Sequence, residues 1–145
     1  MSAQKKDWIL LALKERPLDR LHLMKALFLT WHRSGRDVRD YFRFEPYLYG
    51  PCSFETYRVL EDLLKEQLVT QQAQAVQQWA RYYLTDKGKH AAVEAFKRAD
   101  PNVLELLQKA VREVSALSFS KLLAKVYDEA PDFAVNSVVR GVFTT

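Results

Sequence analysis

Three histidines, one cysteine and an uneven scatter of arginines carry most of the chemistry this 145-residue chain has to offer. His22, His32 and His90 share no metal-ligand spacing with one another or with Cys52, so no metal site is expected. Glu61 and Asp62 are adjacent, and successive side chains on a helix diverge by about 100°, too far to act as acid and base on one bond. With four glycines there is little material for a phosphate-cradling loop. Neither an enzyme nor a cofactor is expected. A lone cysteine rules out an internal disulfide. Cys52 precedes a helix start, where a thiol pKa can fall and redox sensing becomes feasible, but burial as a small apolar side chain is the favoured reading.

The cations point elsewhere. Net charge is +4 and the isoelectric point is near 9.2, yet the balance shifts along the chain. Residues 1–43 carry ten Lys/Arg against five Asp/Glu, whereas 44–80 carry two against five. Residues 81–100 return to five against three, and 101–145 balance at five each. Phosphate contacts need exposed cations, and the candidates are Arg33, Arg36 and Arg39 near the end of one helical stretch, Arg58 within another, and Arg81, Lys87 and Lys89 further on. Arg58 is the candidate for a base edge, since an arginine can reach guanine in the major groove. Asp37 and Asp40 partly neutralise the first cluster, which then reads equally well as a solvated loop.

These groups must be positioned by elements legible in the periodicity and punctuation. Helices are expected over 4–14, 20–33, 54–67, 86–99, 101–116 and 119–127, with Asp19, Ser53, Thr85 and Ser118 as N-caps and Pro101 opening the fifth. Short strands are expected over 41–44, 68–72 and 78–84. The linker 73–77 lacks the Gly or Asn of a tight hairpin, and 132–145 stays unassigned. Gly88 is read as tolerable because it lies early in its helix, and Lys25 as snorkelling from an apolar helix. Gly50-Pro51 allows a sharp reversal with fixed φ and so aims the third helix, with Tyr47, Tyr49 and Phe54 packing around the turn. Phe54, Tyr57, Val59, Leu60, Leu63 and Leu64 form that helix's expected buried face. The order helix–helix–strand–helix–strand–strand–helix predicts a mainly α winged helix-turn-helix with a small antiparallel sheet over 1–99, and a C-terminal helical extension over 100–145 packed on it.

Four stretches carry a resemblance as well: LMKALFL (23–29), FEPYLYGPCSFETYRVLEDLL (44–64), LTDKG (84–88) and KLLAKVYDEAPDFAVNS (121–137). Together they resemble the bacterial Panacea antitoxin domain and related winged-helix proteins, with the Tyr-Gly-Pro segment the most specific part. Met24, Cys52 and Ala130 depart from that pattern. The resemblance implies a winged-helix fold and a general binding role.

The expected function is therefore a non-enzymatic DNA-binding regulator of the winged-helix type, partnered by double-stranded DNA. The alternative is an antitoxin-like or adaptor module that grips a protein partner through the third helix and the wing. Glu55, Glu61, Asp62 and Glu66 against Arg58 and Lys65 favour that alternative, because an acidic helix meets phosphate repulsion in a groove. No apolar run approaches the roughly 20 residues of a membrane span, and with one cysteine and no signal-peptide pattern a cytoplasmic location is expected. A homodimer is expected from the apolar C-terminal third, with Leu104, Leu107, Val111, Val114, Leu122, Leu123, Val126 and Phe133.

Overall fold

The computed structural model describes residues 2–73 and 79–136. Its first helix, α1 (Lys5–Glu15), is apolar on every side. Trp8 through Leu13 are all buried, so this helix runs through the interior and not along its surface. Asp7 opens it with a capping box, accepting the Gln4 N–H at 2.8 Å. The second helix, α2 (Arg20–Arg33), is nearly as enclosed, with Leu23 through Thr30 buried. Asp19 caps it through the His22 N–H at 2.8 Å. Gly35 and Arg36 then end it in left-handed conformations (φ +79° and +59°).

Between α1 and α2 lies β1 (Leu18–Asp19), a two-residue strand that periodicity does not reveal. It pairs antiparallel with β5 (Arg81–Leu84), and β5 pairs with β4 (Val69–Gln72), giving the order β1-β5-β4. The strand expected over 41–44 is not formed. Tyr41, Phe42 and Phe44 are buried in the core, and the Tyr41 hydroxyl donates to the Leu27 carbonyl at 2.6 Å. Aromatic packing fixes this stretch, and strand pairing begins one residue later, where β2 (Glu45–Tyr47) forms a hairpin with β3 (Gly50–Cys52). Gly50 has φ +90°, and a Cβ there would press on the Tyr127 ring, so the turn needs glycine for both reasons.

Helix α3 (Phe54–Lys65) is capped by Ser53. It stops short of the expected residue 67 because Gln67 turns left-handed (φ +61°) and Leu68 N–H closes back on the Leu63 carbonyl. Helices α4 (Asp86–Arg98), α5 (Pro101–Ser115) and α6 (Phe119–Glu129) follow, capped by Thr85, Asp100 and Ser118, with a 3₁₀ turn at Pro131–Ala134. Gly88 turns out to be required: a Cβ there would collide with the Leu68 carbonyl where α4 meets the end of α3.

Helix α5 packs along α1 and α2 and joins the same core as the N-terminal elements. All eight apolar residues that prompted a homodimer are buried within the single chain. The expected linker at 74–77, strand residue 78 and tail at 137–145 lie outside the described residues. The protein is thus mainly helical with a small antiparallel sheet, and no helix among the described residues is long and apolar enough to cross a membrane.

Candidate interaction surface

The seven candidate cations do not share one surface. Arg33 is committed to the C-terminal helices: it donates to Glu129 from Nε (3.1 Å) and from a terminal nitrogen (2.8 Å), and also pairs with Glu113. Its guanidinium holds the Glu129 carboxyl below the usual value. Arg36 forks onto Asp132 at 2.8 and 3.0 Å while lying over the Trp31 and Phe133 rings. Both therefore spend their charge inside the molecule. Arg39 is exposed beside a cleft shared with Arg98 and Asp100. Arg81 lines a different groove with Arg16, and Lys87 lines a third with Leu64 and Thr70, its ammonium on the Glu66 carbonyl at 3.1 Å. Arg58 and Lys89 are exposed. Among the described residues Arg39, Arg58, Arg81, Lys87 and Lys89 have no carboxylate partner.

The exposed side of α3 carries Glu61, Asp62 and Glu66 beside Arg58 and Lys65, while Glu55 is held by Lys5 at 2.7 Å. Next to it the hairpin and the first residue of α3 turn four large apolar side chains outward. Tyr47 is 46% exposed, Leu48 43%, Tyr49 45% and Phe54 59%. The expectation that these aromatics fill the turn, and that Phe54 is buried, is corrected by this. Gly50, Pro51 and Cys52 are themselves buried and occupy the inner side of the hairpin, and these side chains stay at the surface. They pack edge-on instead, Tyr47 on Phe54 (5.3 Å between centroids) and Tyr49 on Phe119 of α6 (5.8 Å).

Beneath this ledge the hairpin is braced by a side chain the sequence reading misplaced. Lys25 does not snorkel. It is 2% exposed and donates to the Pro51 carbonyl at 3.0 Å. Burial pushes its ammonium pKa down to about 8. The neighbouring Cys52 is buried, and the same desolvation pushes its thiol up, which fits a packing role and not a reactive one. Met24 sulfur accepts the Ser53 N–H at 3.4 Å, joining α2 to the start of α3. A signal for Lys25 was present: its helical neighbours at i±3 and i±4 include Leu21, Phe28 and Leu29, which leaves no short path to water.

On the other side of the hairpin, a groove of about 560 Å³ opens between β1, β5 and the α5–α6 turn. His22 stands in its wall, with Nδ1 2.8 Å from the Asp19 carboxylate and Nε2 2.8 Å from the Leu117 carbonyl. Both neighbours are acceptors, so the ring is held as imidazolium. Desolvation opposes that charge, but the bonds to Asp19 and Leu117 prevail and the His22 pKa is raised. Among the described residues no group of three or more His, Cys, Asp or Glu side chains could hold a metal ion. Compared with protein-family models and with curated proteins, the chain matches none.

Proposed function

We propose that this protein is a non-enzymatic interaction module of the antitoxin or adaptor kind, which holds a protein partner on the aromatic ledge and the adjoining face of α3. The observation that carries this reading is the ledge itself: four large apolar side chains face water on a braced hairpin and the helix start that follows it. Exposed apolar groups clustered in this way mark binding surfaces, and aromatic anchors supply much of the energy at protein interfaces. The acidic residues beside them call for a partner with apolar anchors and a basic rim.

A second reading, the winged-helix DNA-binding regulator, draws support from one arrangement. The antiparallel pair β4–β5 follows α3 in the chain, the order a wing would have, which supports this reading, and among the described residues Arg58, Arg81, Lys87 and Lys89 lack carboxylate partners. The commitment of Arg33 and Arg36 to internal pairs and the acidic face of α3 weigh on the other side.

Affinity capture of the full chain from native lysate, with and without nuclease, separates the two. A stoichiometric protein retained after nuclease and lost from a Tyr47→Ser/Phe54→Ser variant is the expected outcome. Retention of nucleic acid alone would reverse the order of the two readings. Duplex affinity would then fall by about 0.9 log unit per log unit of salt for each phosphate neutralised, and Arg58→Gln would weaken it.

A further inference from the structure

The groove beside His22 brings two arginines, unpaired among the described residues, into one concave site. Arg33, Arg36, Arg98 and Arg112 each meet a carboxylate. Arg16 and Arg81, which line this groove together, meet none among the described residues. The reason is visible in the β1–β5 ladder. Asp19 is the residue opposite Arg81, but one of its oxygens accepts the His22 N–H and the other the His22 ring, each at 2.8 Å. The carboxylate placed to neutralise Arg81 is used by an imidazolium, and that pair cancels itself. Two guanidinium groups remain in a concave site with no anion.

The opposite wall is aromatic. Trp79 and Phe119 lie 5.2 Å apart between centroids, inclined by 55°, so they form a wedge and not a closed stack. A flat ring can lie along the open side of this pair, against the face of one ring and the edge of the other. The volume, about 560 Å³, falls within the usual range for small-molecule sites.

We propose that this groove binds a small planar aromatic carboxylate, its ring in the Trp79–Phe119 wedge and its carboxylate on Arg81 and Arg16. Guanidinium binds carboxylate through paired, charge-assisted hydrogen bonds. The bound anion supplies the partner that Asp19 cannot. The site is distinct from the ledge, although Phe119 touches both through its contact with Tyr49, and the proposal holds whichever macromolecule the ledge receives.

The test uses the full chain and 2-naphthoate as probe, followed by calorimetry and by the Trp79 indole N–H resonance. Neutral 2-naphthol and inorganic phosphate are the two controls. Saturable binding of 2-naphthoate, with a shift of the Trp79 signal, is expected. Arg81→Gln should weaken it by about tenfold or more, the worth of one charged hydrogen bond. Arg16→Gln, at an exposed position, should weaken it in the same direction, and Phe54→Ser should leave it unchanged. Equal binding of 2-naphthol would mean an apolar patch only. Equal binding of phosphate would mean a simple anion site. Either result, no binding at millimolar probe, indifference to both arginine substitutions, or loss in Phe54→Ser would overturn the proposal.

Discussion

Where α2 faces α5, α6 and the 3₁₀ turn, Arg33 and Arg36 meet Glu113, Glu129 and Asp132, and Phe28 packs among Trp31, Phe44 and Phe133. Where the hairpin, α3 and the three-stranded sheet face outward, Arg58 and Arg81 have no carboxylate, and Tyr47, Leu48, Tyr49 and Phe54 stand in water. Both regions use the same residue types. One satisfies them within the chain, and the other leaves neutralisation and desolvation undone. A surface left in that state is stabilised further by anything that completes it, which is why both the partner surface and the ligand groove are sought on the second side.

The largest effect expected bears on whether the open side is loosely built. Gly88→Ala would drive a Cβ into the Leu68 backbone, which cannot move aside as a side chain would. A loss of about 3 kcal/mol is expected, the cost of overpacking a tight contact. Denaturant unfolding measures it, and an unchanged midpoint would mean that the open side yields easily and that its exposed groups reflect slack.

Lys25 stands at the seam between the two regions. Lys25→Met keeps the shape, removes a buried charge and leaves the Pro51 carbonyl without its donor, so a net gain of about 1–2 kcal/mol is expected at pH 7. The sign of the pH dependence follows from the lowered pKa. The folded ammonium sheds its proton at about 8 while the unfolded one holds it to about 10.4. Stability of the parent protein relative to the variant therefore rises between those values. The buried Cys52 thiol acts oppositely above its ordinary range, but it is present in both proteins. Thermal melts from pH 7 to 10.5 check this, and a gap that stays constant with pH would argue against a buried charge at the seam.

The smallest effect sharpens the closed side. Arg33→Gln should cost about 1 kcal/mol, since the pairs are partly solvated. Glu129 and Asp132 have depressed pKa values, so stability from such pairs is present above the ordinary carboxylate range and is lost as pH falls through the depressed values. The difference between parent and variant should vanish in acid, as urea midpoints at pH 7 and pH 3 would show. Retained partner capture by Arg33→Gln would agree with the division of labour between the two sides.

Much of the local architecture was legible because its causes are local. Asp19, Ser53, Thr85 and Ser118 each accept a backbone N–H at the helix start they were expected to cap. Strands β4 and β5 were found, β5 starting at Arg81, but β1, β2 and β3 were missed, since two or three residues carry no period. The site was less legible. Arg33 and Arg36 find their partners 80 or more residues away, and no spacing rule links them. Phe54 is apolar and reads as a core residue, but it opens α3 on the exposed side and stays outside. Gly88 looked merely tolerable, because the Leu68 carbonyl that demands it belongs to another element.

The enclosure of α1 has a consequence for how the chain is made. This helix is covered by α4 and α5 as well as by α2 and α3, so an element synthesised before the other described helices is sheltered only after they follow. Trp8, Ile9, Leu10, Leu11 and Leu13 lack their full cover until α5 has been synthesised and folded back. Until then the nascent chain displays a short helix that is apolar on all sides, the kind of segment that chaperones retain and that neighbouring nascent chains can entangle. Pausing or truncation before α5 should therefore yield aggregates and not a smaller folded unit.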